Sequence, residues 1–348
     1  ITFESCLYHA ALHRKELLEN FYRIGRRTIE KSSPWAFVIP RSQHDANAMT
    51  RLLKILEFGM VEIERSTEDF RATGRLFPQG DYVIRTSQPY GSFAKTLLEQ
   101  QQYPDLREYP GGPPLKPYDV TAHALPLLKG VETVRIDDPV ETRLERVSKV
   151  GAQPGFVAGT AVVALSPALG NSWKAVNRLL GAGAEVYRNR RNGIFYIPRE
   201  GAAGQLLPPL ADELGLVFGG WSGDPAEHQL LRPSRVGIYH GHFPIIDEGW
   251  TRWLLEEFEF PYRRLSGKRI QQGNLNQDFD VIILPDARPT TLHAGYLQGA
   301  LYNGGAEVPP EYCGGIENDG ARSLRSFVDE GGTILALNRA SVYALDRL

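Results

Sequence analysis

Cysteine is scarce in this sequence, and its scarcity excludes two kinds of protein. Only Cys6 and Cys313 occur among the 348 residues, and they lie far apart in the chain. Two thiols cannot build the disulfide framework of a small secreted domain, and they cannot supply a four-cysteine zinc site. The cysteine content therefore leaves the cellular compartment open.

A surplus of one charge and long apolar runs are also missing. The 39 basic and 41 acidic residues give a formal charge of -2, which does not create the positive field that nucleic-acid binding requires. No apolar run approaches the roughly 18–20 residues that span a bilayer. The sequence therefore predicts no nucleic-acid partner and no membrane span.

The apolar pattern that is present predicts strands alternating with helices. Residues 3–30 have apolar positions at helical spacing, which predicts a helical lead-in over 1–34. From 233 to 348, buried-strand patterns alternate with helical ones, and this predicts a parallel sheet covered on both faces. The stretch 201–234 is rich in Gly and Pro and predicts a linker.

A weak internal repeat occupies the middle of the chain. Residues 36–85 read AFVIP, a helical stretch containing RLL, then GMVEIER and GDYVIR; residues 161–198 read AVVAL, a helical stretch containing RLL, then GAEVYRN and GIFYIP. The matching words in matching order predict a duplicated α/β unit. We expect the first copy at 35–136 and the second copy with its linker at 137–232.

No complete catalytic motif occurs, since HExxH, GxSxG, GxGxxG and the P-loop pattern are all missing. The most metal-like group is His240, His242, Asp247 and Glu248, which follows a predicted strand and precedes a helix. In parallel sheets, ligands bind beyond the carboxyl ends of the strands. Alternatively, Asp247 caps the helix and the two histidines lie in a solvated loop.

The same predicted cleft gains four residues from later loops. Gly314 and Gly315 allow a ligand to approach the backbone closely, or they are turn residues. Arg339 and Ser341 lie where a buried strand turns into a helix. Cys313 or Ser341 would be a nucleophile only beside an activating base, and no paired histidine is evident. We therefore assign candidate ligand-binding residues but no catalytic residue and no metal ligand.

Polar residues also stand at element ends in the first copy, where they either line a cleft or form caps and turns. They are Gln43, Asp45, Arg85, Gln88 and Asp119.

Six phrases along the chain together resemble one family: PRSQHD at 40–45, GDYVI at 80–84, QYPD at 102–105, PYDVTA at 117–122, DEGWTRW at 247–253 and VPPEY at 308–312. They resemble the region downstream of the catalytic domain in large bacterial zinc carboxypeptidase-like proteins, the carboxypeptidase A-type metallopeptidases. The resemblance extends from about residue 15 to the end of the sequence.

The resemblance implies a non-catalytic accessory region whose partner is an upstream peptidase domain of the same protein. That domain would hold the zinc through an HxxE pair and a later His, with a Glu as general base. None of that motif can be placed here, and Glu4 in TFES is not assigned as the base. We therefore expect no cofactor in this chain. The resemblance also implies export or a periplasmic location in a bacterium.

Residues 233–348 further resemble the class I glutamine amidotransferase-like fold, which has a flavodoxin-like sheet. Its active members place a Cys at the elbow after a strand like 333–337, whereas this elbow reads Leu337-Asn338-Arg339. The partner His-x-Glu would lie beyond Leu348. The resemblance implies a degenerate and truncated copy with a ligand-binding cleft. Two alternatives stay open: an independent hydrolase using Cys313 or Ser341, and a small-ligand or metal module at His240 and His242.

Overall fold

The computed structural model describes residues 2–31, 33–102, 104–115, 124–151, 154–302 and 305–348. These residues form a mixed α/β protein with several sheets. The chain divides into two units, of which the first comprises Ile1–Phe156, Ala168–Gly170 and Leu210–Val217 and the second comprises Val157–Pro167, Asn171–Pro209 and Phe218–Leu348. In the part of the chain that the structure describes, no helix has the length and apolarity required to cross a membrane.

The lead-in consists of two consecutive helices rather than the single helix that the sequence predicts. They are α1 (Thr2–Leu12) and α2 (Arg14–Ile29). The interruption is slight, because the backbone N–H of Leu17 still donates to the carbonyl of His13 at 2.9 Å. The end of α2 is anchored where the Thr28 hydroxyl lies 3.2 Å from that of Ser92.

The first unit contains a five-stranded sheet, a two-stranded hairpin and three further helices. The sheet strands are β1 (Ala36–Ile39), β2 (Glu64–Ser66), β5 (Tyr82–Arg85), β6 (Val134–Ile136) and β7 (Leu144–Arg146); the hairpin is β3 (Phe70–Ala72) with β4 (Arg75–Phe77); the helices are α3 (Ala46–Phe58), α4 (Gly91–Leu98) and α5 (Leu125–Lys129). The sheet order is β6-β1-β5-β2-β7, and all neighbours are antiparallel.

Strand β1 is buried on both faces, as its continuous apolar run predicts. Phe37 and Ile39 pack in one core with residues of α3 and α4. Ala36 and Val38 point to the other face and pack against Phe70 and Phe77 of the hairpin. The hairpin therefore closes the sheet face that the helices leave uncovered.

A second sheet follows, with strands β8 (Phe156–Val157), β9 (Val162–Leu165), β10 (Tyr187–Arg188), β11 (Phe195–Pro198), β12 (Val217–Trp221) and β13 (Gln229–Leu230); its helices are α6 (Gly170–Gly181) and α7 (Gly201–Leu214). Its order is β13-β10-β11-β9-β12-β8. We leave out the hairpin strands and β8 and number the remaining five strands of each sheet along the chain. Both sheets then have the strand order 4-1-3-2-5. The first four strands of each follow the β-α-β-β-α-β, ferredoxin-like arrangement.

The linker prediction for 201–234 is wrong, because this stretch contains α7, β12 and β13. Pro208 and Pro209 lie inside α7, where each removes a backbone donor and opposes helix formation. The helix forms nevertheless, because Leu207, Leu210 and Leu214 are buried at helical spacing. Burial of this apolar face outweighs the poor local propensity.

The last part of the chain confirms the predicted parallel sheet. Its strands are β14 (Val236–Tyr239), β15 (Tyr262–Leu265), β16 (Val281–Leu284) and β17 (Thr333–Ala336); its helices are α8 (Ile246–Glu257), α9 (Gly267–Gln271), α10 (Pro289–Ala294), α11 (Glu317–Asp329) and α12 (Ala340–Arg347). The order is β15-β14-β16-β17, with all neighbours parallel. Apolar cores lie on both faces of this sheet.

An ion pair joins the second sheet's helix α6 to the segment after α8 within the second unit. Arg178 binds Glu259 through two contacts of 2.8 Å, and the neighbouring Asn177 amide donates to the carbonyl of Phe258 at 2.9 Å. Arg178 holds the pKa of Glu259 below its usual range. A bidentate guanidinium–carboxylate pair fixes orientation as well as distance.

Polar residues at the element ends of the first unit have structural roles. Asp45 caps α3, and its carboxylate accepts from the N–H groups of Asn47 and Ala48. The amide of Gln43 exchanges hydrogen bonds with the backbone of Glu132. These contacts favour the cap-and-turn interpretation of the sequence. Asp119 lies outside the described residues, as do Tyr103 of the phrase at 102–105 and the whole of the phrase at 117–122.

The side chain of Gln88 hydrogen-bonds the backbone just before β2 and at the end of β5. Its buried amide accepts from the N–H of Glu62 at 2.6 Å and donates to the carbonyls of Glu62 and Arg85 at 3.0 and 2.7 Å. We expect Gln88→Ala to lower the free energy of unfolding by about 1–3 kcal/mol, because three backbone groups lose their partner. Urea unfolding followed by circular dichroism measures this change. The exposed Gln101→Ala should stay within about 0.5 kcal/mol of wild type, and an equally mild Gln88 variant would contradict the assigned role.

Asp280 joins the start of β16 to the residues that precede β14. Its carboxylate accepts from Arg235 at 2.7 Å and from Arg232 at 2.8 Å. Arg235, followed by Arg232, holds the pKa of Asp280 well below its usual range. The ionised carboxylate therefore stabilises the folded chain above the unfolded pKa of about 3.9, and this contribution disappears as the pH falls below that value.

We expect Asp280→Asn to lower the thermal midpoint at pH 7 and to approach wild type as the pH is lowered from 4 to about 2. The convergence follows from the depressed pKa, because the wild type loses the Asp280 charge in that range and the variant has no charge there to lose. Thermal scans at several pH values provide the measurement. The exposed Asp346→Asn serves as the control, and parallel pH curves for Asp280→Asn and wild type would refute the assignment.

Candidate functional site

The carboxyl ends of the parallel strands form the candidate site. The chain runs from β14 outward to β15 and then crosses back to β16 on the other side of β14. Such a reversal of strand order separates the two loops that follow the central strands and leaves a crevice between them. Here the crevice lies among the loop 240–245, the loop 285–288 and the turn 337–339, each of which directly follows a strand.

One cavity of about 430 Å³ lies beside the loop after β14 and is lined by His240, Glu248 and Arg252. Glu248 is only 5% exposed. Its Oε1 atom lies 3.2 Å from His240 Nδ1 and 2.9 Å from Arg252 Nε, although neither contact has the geometry of a hydrogen bond. The structure therefore brings the predicted His240 and Glu248 together and adds Arg252, which the sequence interpretation missed.

A second cavity of about 280 Å³ shares the loop residues 243–246 with the first. It is lined by the loop residues 243–246, by Asp247, by 286–288 and by Thr291 and Arg339. This cavity brings the predicted Asp247 and Arg339 together at the point where strand order reverses. The helix α8 begins after Ile245 without a side-chain cap, so the interpretation of Asp247 as the cap is wrong. Asp247 lies in the first turn instead, where a negative charge favours the helix.

Asp286 is the central residue that the sequence interpretation missed. Its Oδ1 accepts from the backbone N–H of Arg339 at 3.2 Å and from Nε of Arg339 at 2.7 Å. Its Oδ2 accepts from Nδ2 of Asn338 at 2.8 Å. Arg339, followed by Asn338, lowers the pKa of Asp286. The sequence could have indicated Asp286 by its position alone, because it lies two residues after the buried strand β16, at the edge of the sheet where ligands bind.

The turn from β17 into α12 has the backbone form of an elbow. Asn338 has φ +46°, a left-handed conformation that Asn tolerates better than most residues with a side chain. A nucleophile elbow holds its reactive residue in such a sharp strand-to-helix turn. Here the turn presents an amide that is bound to Asp286.

The remaining predicted residues lie in packed or turn positions. Gly315 is buried, and a Cβ at this position would lie 2.5 Å from the carbonyl oxygen of His293. Gly314 has φ +94°, and its N–H donates to the carbonyl of Tyr296. The ring of His242 lies 4.7 Å from that of Tyr312. These contacts favour the turn interpretation of the two glycines.

Neither candidate nucleophile has an activating partner among the described residues. The contacts of the Cys313 thiol within hydrogen-bond reach are the carbonyls of Leu297, Val308 and Pro309, at 3.5–3.9 Å. The Ser341 hydroxyl donates to the carbonyl of Ala336 at 3.3 Å. A nucleophile requires an adjacent base or a lowered pKa, and these carbonyl contacts supply neither.

Metal ligation finds no support in the described ranges, where no group of three or more His, Cys, Asp and Glu side chains is arranged to hold an ion. Comparison with protein-family models, curated proteins and solved structures found no match to this chain. The arrangement can bind a ligand, because the fixed guanidinium of Arg339, the carboxylates of Asp247 and Asp286, and the apolar residues 243–246 lie together at one sheet edge.

The buried contact between Glu248 and Arg252 should be measurable in a double-mutant cycle. We expect Arg252→Gln to lower the free energy of unfolding by roughly 1–3 kcal/mol, because a buried carboxylate loses a neighbouring cation. Glu248→Gln combined with Arg252→Gln should recover part of that loss. Arg264→Gln, on the exposed side of β15, is the matched control. If the losses in free energy of unfolding of the two single variants simply add up in the double variant, the residues do not interact.

Proposed function

We propose that this chain is a non-catalytic accessory region of a zinc carboxypeptidase-like metallopeptidase and that it docks on the peptidase domain through α1 and α2. One observation carries the docking proposal. The two lead-in helices leave ten large apolar side chains exposed within the described chain. The resemblance of the six sequence phrases supplies the identity of the partner.

The exposure of these helices is extreme for apolar residues. No residue of α1 is buried, and Thr28 is the only buried residue of α2. Phe3 is 87% exposed and Phe21 is 69% exposed. The exposed apolar side chains of the two helices are Phe3, Leu7, Tyr8, Leu12, Leu17, Leu18, Phe21, Tyr22, Ile24 and Ile29.

Their spacing is that of a helix-packing seam. Positions 3, 7, 10, 14, 17, 21, 24 and 28 alternate steps of four and three residues, and seven of the eight are apolar or Thr, with Arg14 as the exception. Such a heptad pattern keeps one stripe facing a partner along the whole helix. The stripe continues into an apolar cavity of about 450 Å³ between α2 and the start of α4, lined by Phe21, Ile24, Pro89 and Phe93 among others.

The size of this surface points to a stable interface. Ten large side chains that are about half to nine-tenths exposed present roughly 1,000 Å² of apolar surface. Monomeric proteins seldom expose a continuous apolar patch above roughly 300–600 Å². A specific interface buries about 800 Å² on each partner. The ten side chains therefore offer enough apolar surface for a complete interface, and five of them lie on the stripe: Phe3, Leu7, Leu17, Phe21 and Ile24. The cavity beside the stripe suits an inserted side chain.

The preferred occupant is the peptidase domain that the resemblance implies upstream on the same polypeptide. A domain tethered next to α1 would be present at a high effective concentration and would outcompete a separate molecule. A second copy of this chain is the main competing occupant.

The fold agrees with the rest of this proposal. The shared 4-1-3-2-5 strand order supports a duplicated α/β unit over 35–136 and 137–232, with α7, β12 and β13 as the second half of the second copy. The order β15-β14-β16-β17 supports a flavodoxin-like, amidotransferase-like domain over 233–348. Asn338 at the elbow supports a catalytically silent copy of that domain, and any zinc would belong to the peptidase domain.

The proposal predicts that the reading frame upstream of residue 1 encodes an HxxE zinc motif and that the longer polypeptide protects α2. Amide hydrogen exchange of α2 should be at least about 10-fold slower in the longer polypeptide than in the 348-residue chain. Phe21→Glu should abolish this protection, because it places a charge in the apolar seam. Asn20→Glu adds the same charge beside the stripe and should have little effect.

Four outcomes would contradict the proposal. An upstream sequence without the zinc motif removes the peptidase partner. Concentration-dependent dimerisation of the 348-residue chain that Phe21→Glu abolishes assigns the stripe to a second copy. Cleavage of carboxy-terminal peptide substrates by this chain with added zinc contradicts the non-catalytic role, and labelling of Cys313 or Ser341 by a class-specific probe would favour the hydrolase alternative.

A further inference from the structure

The cavity at the point where strand order reverses combines an apolar wall with two arginine side chains. We propose that it binds a small organic carboxylate, whose charged group meets Arg339 and Arg288 and whose hydrocarbon part lies against Phe243–Ile246. The inference gives a ligand class to the cleft and does not depend on docking through α1 and α2.

Arg339 is held in place before any ligand arrives. Its Nε and its backbone N–H both donate to Oδ1 of Asp286, while Asn338 occupies Oδ2. Within the described ranges, no hydrogen bond from the two Nη groups of Arg339 is found. A guanidinium anchored through Nε keeps its terminal N–H groups free, and these match the two oxygens of a carboxylate. Asp286 is therefore a positioning residue.

Arg288 adds a second cation to the same cavity. It precedes α10 and lines the cavity together with Thr291. The described part of the chain offers its side chain neither an ion pair nor a hydrogen bond. An exposed arginine without a partner is unconstrained by the fold, so its substitution should leave the fold intact. It is free to contact a ligand that Arg339 holds.

The balance of charge and polarity selects the ligand class. Asp247 and Asp286 offset Arg288 and Arg339, so the lining has no net charge to attract a polyanion such as a polyphosphate. The wall formed by Phe243, Pro244, Ile245 and Ile246 favours an apolar chain. A cavity of about 280 Å³ lies just below the usual size range of small-molecule pockets. A short-chain monocarboxylate fulfils all three conditions.

The probes are butyrate, its neutral isostere butyramide, and inorganic phosphate, each titrated at constant ionic strength and followed by NMR chemical shifts. We expect saturable binding of butyrate in the millimolar range and at least about 10-fold weaker binding of butyramide and phosphate. Arg339→Gln and Arg288→Gln should each weaken butyrate binding about 10-fold or more, because each removes a charge-assisted contact.

Arg322→Gln is the matched control, because Arg322 is an exposed arginine on α11 that pairs with Asp319. It should bind butyrate as the wild type does. Because Arg288 has no partner to lose, its variant tests the proposal even if Arg339→Gln fails to fold. Equal binding of butyrate and butyramide, phosphate binding as tight as butyrate binding, or wild-type affinity in the folded Arg288→Gln variant would each overturn the proposal.

Discussion

The requirement that every apolar face be covered governs this structure. Strand β1 meets it on both sides, with helices on one face and the hairpin β3–β4 on the other. The parallel sheet meets it with apolar cores on both faces. Helix α7 exists because the same requirement outweighs two internal prolines. The lead-in helices α1 and α2 do not meet it within the described chain, because their large apolar side chains stay exposed.

Polar side chains in this chain mostly fix elements in place. Gln43, Asp45 and Gln88 tie strand and helix ends in the first unit, and Asp280 ties the start of β16 to Arg232 and Arg235. Cys313 and Ser341 contact backbone carbonyls, so their surroundings do not activate them. Where a polar group serves structure in this way, its presence at an element end carries no information about catalysis. The exception is Arg339, whose anchoring by Asp286 leaves donors unused.

How much the sequence could predict depended on the kind of signal. The continuous apolar runs of β1 and β16 identified buried strands correctly, because a short apolar run between turn residues has few other uses. The linker at 201–234 was wrong, because Gly and Pro describe local propensity, whereas burial at Leu207 and Leu210 decides the outcome. Asp286 escaped notice because its partners lie more than 50 residues away. Burial of Glu248 beside Arg252 likewise depends on the packed fold.

The hairpin β3–β4 has no counterpart in the second sheet, since a short turn joins β10 to β11. Ala36 and Val38 are therefore enclosed, whereas Val162 and Ala164 on the corresponding strand are partly open to solvent. Two sheets of the same strand order thus experience different selection on one face. Substitutions that this face of the first sheet rejects can accumulate on the corresponding face of the second sheet, which should therefore vary more over evolutionary time.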